Sequence, residues 1–336
     1  MTKSARMLAS IDVIIVNFRT GSLVISCLES LELERHMLPN LRAIVVDNAS
    51  GDGSAEQIRG AIEERGWDWV KLILSPTNGG YGAGNNIGIC WALARGDAAD
   101  FYWLLNPDTE VRPSAGVALA QFMSLNPAAG VAGSALLERD GKPWFYAFRF
   151  PTILGELERG ACLAILSRLL KNRSVLRPMG RVPEKVDWVS GASFLIRREL
   201  LDAGSRFDQA YFLYYEETDF CLQARRAGWE CWYVPDSVVM HIAGQSTGVT
   251  GHQIALRRLP AYWFRSRQYY FLKNHGRFYG MLADIAWMCG HMVARAKGRL
   301  RGVPESTPPR LLFDFARYSA FVPRRLISGW NDGRRA

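Results

Sequence analysis

Four short apolar runs in the first 110 residues each lead into polar residues, and this repetition constrains the chain more than anything else in it. The runs are Ile11–Val16, Ala43–Val46, Val70–Leu74 and Tyr102–Leu105. They are followed by Asn17, Asp47-Asn48, Asn78-Gly79-Gly80 and Asn106-Pro107-Asp108. Runs so short and so apolar suit strands covered on both faces. Helical patterning lies between them, as over Leu23–Leu31, and Gly51-Asp52-Gly53-Ser54 reads as a turn and helix start. Strands alternating with helices imply an α/β fold, a mainly parallel sheet flanked by helices with right-handed crossovers. Such sheets bind ligands at the carboxyl ends of their strands. Asn and Asp singly favour turns; four polar strand ends in series indicate a site.

The rest of the chain is less regular. Residues 141–185 mix aromatics, Pro and Arg around a helix-like stretch near 155–170. A strand is expected over Val186–Ile196, a helix over Glu216–Ala227 stopped by Gly228, and a short strand at Cys231–Val234. A compositional shift near residue 250 separates a domain over 1–250 from a basic, aromatic-rich, mainly helical tail over 251–336. From residue 253 onward there are 16 Lys/Arg against 4 Asp/Glu, whereas the preceding 252 residues carry 25 against 28. An anionic partner is therefore expected at the tail. The tail has neither zinc-finger spacing nor an aromatic RNA-recognition signature, so nucleic acid is not expected. Its interleaving of Tyr262, Trp263 and Phe264 with Arg265 and Arg267 points instead to an anionic membrane surface. The run Phe278–Ala294, interrupted by Asp284 and His291, is too short to span a bilayer, for which ~20 apolar residues are needed, but suits a helix lying on one. Six scattered cysteines without metal or CxxC spacing read as reduced core residues, and no signal peptide is recognised before the first strand. The expected location is cytoplasmic, peripheral on the inner face of the plasma membrane.

Four segments carry chemistry. In Val45-Val46-Asp47-Asn48, a strand-end carboxylate can accept a pyrimidine N–H, with Asn48 serving ribose or base. Asn78-Gly79-Gly80-Tyr81-Gly82-Ala83-Gly84-Asn85-Asn86 lets backbone approach a ligand before a helix N-terminus that favours phosphate. It is neither a P-loop nor the dinucleotide GxGxxG fingerprint. Asn106-Pro107-Asp108 offers one hard carboxylate to a divalent cation bridging a diphosphate. In Tyr211-Phe212-Leu213-Tyr214-Tyr215-Glu216-Glu217-Thr218-Asp219, aromatics can wall off carboxylates, raising a pKa toward that of a general base.

Taken in order, these segments resemble family 2 inverting glycosyltransferases of the GT-A fold, closest to a bacterial rhamnosyltransferase-like branch. The resemblance runs from about Ile11 to Thr247 and adds Ser190-Gly191-Ala192, Phe207-Asp208 and His241 to the series. It implies a donor site at Asn17, Asp47, Asn48, Asn78, Gly79, Gly80, Asn85, Asn106, Trp188, Gly191 and Ala192. It also implies Mn²⁺ or Mg²⁺ held by Asp108 and His241, and a catalytic motif of Glu217, Glu216 and Asp219 with Glu217 as base. Two positions depart from the family pattern: Asn106 replaces the first Asp of Asp-x-Asp, and Glu217 stands where Asp is usual. The resemblance implies a dTDP- or UDP-sugar donor, rhamnose-like sugars leading, and a glycan or polyprenyl-diphosphate-linked acceptor in cell-surface polysaccharide synthesis. A sugar nucleotidyltransferase would be expected to place a basic glycine-rich loop after its first strand, where Asn17-Phe18-Arg19-Thr20-Gly21 has one basic residue. A non-catalytic nucleotide-sugar-binding assembly subunit is the third reading, prompted by Asn106 and Glu217.

Overall fold

The computed structural model describes residues 9–143, 147–242, 258–302 and 307–323. In chain order its strands are β1 (Ile11–Asn17), β2 (Leu41–Asp47), β3 (Val70–Leu74), β4 (Phe101–Leu105), β5 (Thr109–Val111), β6 (Ala129–Leu137), β7 (Ala147–Phe148), β8 (Glu184–Val186), β9 (Trp188–Val189), β10 (Ser193–Arg197) and β11 (Glu230–His241). The helices are α1 (Gly21–Arg35), α2 (Ser54–Arg65), α3 (Tyr81–Leu93), α4 (Ala115–Leu125), α5 (Ile153–Ala161), α6 (Ala164–Leu169), α7 (Arg198–Asp202), α8 (Glu216–Arg226), α9 (Ala261–Leu300) and α10 (Leu311–Arg317).

The main sheet runs β3-β2-β1-β4-β10-β6-β11-β5, with β8 on the flank of β11. Its first four strands are parallel, as the alternation of strands and helices implies. Parallel register sets Asn17 opposite Asp47 and Ile15 opposite Leu105, so the polar ends collect along one edge. All of β1 is buried, including Asp12, whose carboxylate meets Arg42 of β2 at 2.7 Å. A charge inside an apolar run is tolerable because it is paired.

The second half of the sheet is mixed. β10 runs antiparallel to both β4 and β6, while β11 is parallel to β6 and antiparallel to β5. The strand signals over Val186–Ile196 correspond to three strands, β8, β9 and β10, with β9 pairing β7 in a separate two-stranded sheet. The strand expected at Cys231–Val234 continues to His241 across an irregularity between Val234 and Val238. That interval contains Pro235, which has no N–H to give a ladder. The extension matters: it pairs His241 with Thr109, one residue beyond Asp108.

The proposed boundary near residue 250 lies outside the described residues. Beyond it, α9 packs along α5, and its Tyr270 and Phe271 belong to the same apolar core as the sheet. The helices cross at Gly160 and Gly290. A Cβ at Gly160 would lie 2.3 Å from the Trp287 carbonyl oxygen, and one at Gly290 2.6 Å from that of Leu157. Arg267, 3% exposed, joins Glu156 (2.7 Å) and Asp284 in a buried ionic cluster at this junction. The Tyr262–Arg267 run, expected at a membrane, thus largely faces inward: Phe264 and Arg267 are buried, Phe264 stacking on Tyr318. Helical spacing places these residues on faces that alternate between core and cleft, which composition does not reveal. Among the described residues, no helix is long and apolar enough to cross a membrane. Of the six cysteines, Cys27, Cys221 and Cys231 are buried, but Cys90, Cys162 and Cys289 are exposed rather than core residues.

Candidate active site

Two hollows border the segment that leads into α8. The first, about 140 Å³, is lined by Val16, Phe18, Thr20, Asn48, Asn78, Gly80, Tyr81, Asn106, Pro107, Phe212 and Leu213. It lies above β1, β2 and β4, where an α/β sheet receives ligands. Gly80 forms part of its wall at φ 86°, and a Cβ there would sit 1.9 Å from the Phe212 carbonyl oxygen. Only glycine permits both the left-handed backbone and this approach. The Tyr81 N–H then donates to that same oxygen at 3.0 Å, locking the 78–81 loop to the 212–217 segment.

The expected donor residues divide into those facing this cleft and those supporting it. Asn48, Asn78, Gly80 and Asn106 line it. The Asn48 side chain donates to Asn78 Oδ1 (3.1 Å) and the Gly80 carbonyl (3.0 Å), leaving its own buried Oδ1 without a partner. Asn17 does not line it. Its amide donates to Asp47 (2.6 Å) and Ser54 (2.9 Å) and accepts from Thr20, pinning β1 to β2 and α2. Asp47 accepts from Asn17, the Ser50 hydroxyl and the Ser50 N–H, and is 4% exposed. Both tie the strand ends together, and neither is among the residues lining this hollow. Asn85 turns back on its own helix, donating to the Tyr81 carbonyl at 3.0 Å, and Gly79 lies beside the cleft lining. Gly191 and Ala192 act through backbone: the Gly191 carbonyl accepts from Tyr81 Oη (2.7 Å), and the Ala192 carbonyl from the Asn106 N–H (3.2 Å). Phe212 was expected as a pocket wall, whereas Phe18 and Thr20 were given no role in the sequence reading, because neither sits in a polar strand end with an evident chemical role.

Asp108 and His241, 133 positions apart, meet. His241 Nε2 lies 3.4 Å from Asp108 Oδ1 and 3.4 Å from the Asn106 amide. Asp108 Oδ1 is buried and receives no hydrogen bond among the described residues. The separation is what two ligands at ~2.1 Å from one cation would show. Carboxylate and imidazole suit Mn²⁺ or Mg²⁺ once a diphosphate contributes further oxygens. Among the described residues no group of three His, Cys, Asp or Glu converges in this way, so the protein alone offers a partial coordination set.

The second hollow, about 390 Å³ and mainly apolar, is lined by residues including Phe148, Arg159, Leu176, Trp188, Tyr214, Tyr215, Glu217 and Trp263. Phe148 and Trp188 stack in it at 4.0 Å between ring centres. Trp188, expected in the donor site, is therefore found here, because β9 pairs with β7 outside the main sheet. Phe212 and Leu213 line the first hollow, and Tyr214, Tyr215 and Glu217 the second, so one short segment borders both. Tyr214 (φ 69°) and Tyr215 (φ 70°) are held in the left-handed region. Bulky residues rarely adopt it, and each costs ~1–3 kcal/mol. The strain turns Glu217 toward the second hollow at the start of α8.

Glu217 and Glu216 part ways electrostatically. Burial pushes the Glu217 carboxyl up to about 7, and one of its oxygens is buried without a partner. Glu216, 2% exposed, is raised well above the ordinary glutamate value, by burial first and then by the charge of Glu217. Burial raises both carboxyls, and a Glu217 carboxyl brought up to about 7 suits a general base. Asp219 does not join them. Two residues along a helix point to different faces, and its carboxylate instead accepts from Lys273 (2.7 Å) and Asn274 (2.7 Å) of α9. Asp219 thus ties α8 to α9.

A sheet of this topology, with its cleft at the strand ends and a metal-suited Asp–His pair beside it, has the architecture of GT-A glycosyltransferases. Solved structures agree on the fold. The mannosyltransferase PcManGT from Pyrobaculum calidifontis, in complex with GDP-Man and Mn²⁺, matches with a TM-score of 0.55 over 96% of this chain and 82% of that one, at 14% identity. GalNAc-T7 with UDP, GalNAc and Mn²⁺ matches with a TM-score of 0.56 over 98% and 59%, also at 14% identity. Among curated sequences, the N-acetylglucosaminyl-diphospho-decaprenol L-rhamnosyltransferase of Mycobacterium tuberculosis is 29% identical over 249 residues, 71% of this chain and 78% of that protein. The dTDP-rhamnosyl transferase RfbF of Shigella flexneri is 24% identical over 70% of this chain and 72% of its own. The family described as "Glycosyltransferase like family 2" matches residues 9–258, and the chain belongs to it.

Proposed function

We propose that this glycosyltransferase moves a rhamnose-like sugar from a nucleotide diphosphate onto a hydroxyl of a lipid-linked glycan, with inversion at the sugar carbon. The observation that carries the reading is the adjacency of two unlike hollows, a polar one over the strand ends and an aromatic one holding Glu217. The named relatives support the sugar and the acceptor class: two are rhamnosyltransferases, and one acts on a diphospho-decaprenol glycan by its name. The donor nucleotide occupies the first hollow, with Asn48 and Asn78 at its base. Glu217 receives the acceptor's proton as the hydroxyl attacks the anomeric carbon from the face opposite the diphosphate.

Asp108 and His241 would hold Mn²⁺ or Mg²⁺, which when bound supplies positive charge to a leaving diphosphate. Asn106 itself adds no negative charge, so the donor's own phosphates must contribute most of the cation's affinity. In the second hollow, the Phe148–Trp188 stack suits a sugar face. Arg159, 2.7 Å from Glu156 and 5.5 Å from the Trp263 ring centre, brings a cation to the wall for an acceptor phosphate. The outer half of α9 keeps Phe278 (74% exposed), Ile285, Met292 and Val293 exposed, with Arg295, Lys297 and Arg299 beside them. This supports peripheral attachment of the tail to an anionic membrane.

The test is transfer from dTDP- and UDP-sugars, with Mn²⁺ present, onto diphospho-polyprenyl N-acetylglucosamine, read by mass. Product from dTDP-rhamnose that is absent without acceptor supports the reading. Donor binding without turnover across such a panel would overturn it in favour of a non-catalytic binding subunit.

A further inference from the structure

Beside the second hollow, one segment carries an outer face that neither the site nor the core uses. Helix α6 has no buried residue, and Ile165 (79% exposed) and Leu169 (75%) stand in water on it. The chain that follows adds Val182, also exposed. Between Ala164 and Pro183 the chain carries Arg168, Lys171, Arg173, Arg177 and Arg181 and no acidic residue. One of the five, Arg177, is paired with Glu184 at 2.9 Å.

The segment is anchored rather than adrift. The Arg149 N–H donates to the Val175 carbonyl (2.8 Å), and Ser167 Oγ donates to Glu158 (2.6 Å). Phe148 and Leu176 also form a β-bridge. Its inner side supplies Ser174, Val175 and Leu176 to the wall of the hollow that holds Glu217. One face of the segment therefore borders the candidate acceptor pocket, and the other presents apolar side chains among cations.

We propose that residues 164–183 form a lip that docks on an anionic lipid surface and sets the mouth of the acceptor pocket at the bilayer. Exposed apolar side chains interleaved with positive charge, without acidic residues, match the interface of an anionic membrane. A second copy of this chain fits poorly, because a two-fold contact would bring this predominantly cationic surface against itself. The inference deepens the reading above: a lipid-linked acceptor enters from the membrane side along this lip, and the attachment is not a property of the C-terminal tail alone.

The full-length chain is tested by flotation with phosphatidylcholine vesicles, with and without phosphatidylglycerol. The variants are Ile165→Glu/Leu169→Glu and Arg168→Gln/Lys171→Gln/Arg173→Gln, all on this segment. Each should lower binding to the anionic vesicles by about tenfold or more. Each should also leave transfer to a short-chain, detergent-free acceptor unchanged while depressing transfer to a long-chain acceptor embedded in vesicles. Wild-type vesicle binding by both variants overturns the lip, as does a dimer that these substitutions dissociate without changing vesicle binding. If wild-type protein transfers to neither acceptor, the proposed function fails, while the flotation result still decides the lip on its own.

Discussion

Between about pH 8 and pH 6 turnover should fall roughly tenfold, and Glu217 is the reason. Its carboxyl is pushed up to about 7 by burial beside aromatic walls. A base works only when ionised, and with that midpoint ~90% is charged at about pH 8 and ~10% at about pH 6. With the ordinary glutamate value of 4.5, more than ~95% would still be charged at about pH 6, and the profile would be flat. The assay is kcat against pH at saturating donor and Mn²⁺, with nucleotide affinity measured over the same range to separate binding from chemistry. Glu217→Gln should lower kcat by ~10²–10⁴ and abolish the acid limb. The same shift has an opposite signature in stability. A carboxyl whose folded pKa lies above its unfolded value favours folding below the unfolded value, and that contribution is lost as pH rises through about 7. Removing the charge should therefore stabilise the protein near pH 8, by on the order of 2 kcal/mol after allowance for solvent at a half-buried group. A flat pH profile in the native protein, or a Glu217→Gln variant less stable than wild type at that pH, would refute the reasoning.

Other substitutions probe the remaining parts. Asp108→Ala should remove the Mn²⁺-dependent component of nucleotide binding in calorimetry while leaving the melting temperature nearly unchanged; equal affinity with and without metal in both proteins would count against the Asp108–His241 pair. Gly80→Ala should disrupt donor binding far more than the loss of one methyl-sized volume suggests, since its Cβ would meet the Phe212 carbonyl at 1.9 Å; unchanged nucleotide affinity would show that the loop is free to move. Arg267→Met leaves Glu156 and Asp284 buried with less compensating charge and should cost about 3–5 kcal/mol in urea unfolding, whereas a loss under about 1 kcal/mol would place the cluster outside the cooperative core. Because Tyr270 and Phe271 belong to that core, tail attachment is better tested by Phe278→Glu/Ile285→Glu than by deleting the tail. That variant should float less with anionic vesicles at unchanged stability, and full binding would remove α9 from the contact.

Much of the architecture was legible because local patterning and the sheet agree. Apolar runs with polar ends can hardly be anything but buried parallel strands, and the Asn106-Pro107-Asp108 end lies in the cleft region as expected. Asp47 and Asn17 were legible as strand ends but not as supports, since a carboxylate facing a ligand and one satisfying a turn have the same sequence. Asp219 shows a related effect: three acids in four residues read as one motif, and helical rotation sends the third to Lys273 and Asn274.

The sequence by itself determined the parallel half of the sheet, the glycine loop, and the identity of the groups available for chemistry. These follow from periodicity and residue type, which act over a few neighbouring positions. Tertiary structure alone decided that β11 runs past Pro235 to bring His241 to Asp108, and that Trp188 leaves the donor cleft for the second hollow. It also decided that α9 completes the core. Each depends on antiparallel pairing or helix crossing between segments far apart in the chain, where specificity comes from packing and register that no local pattern encodes.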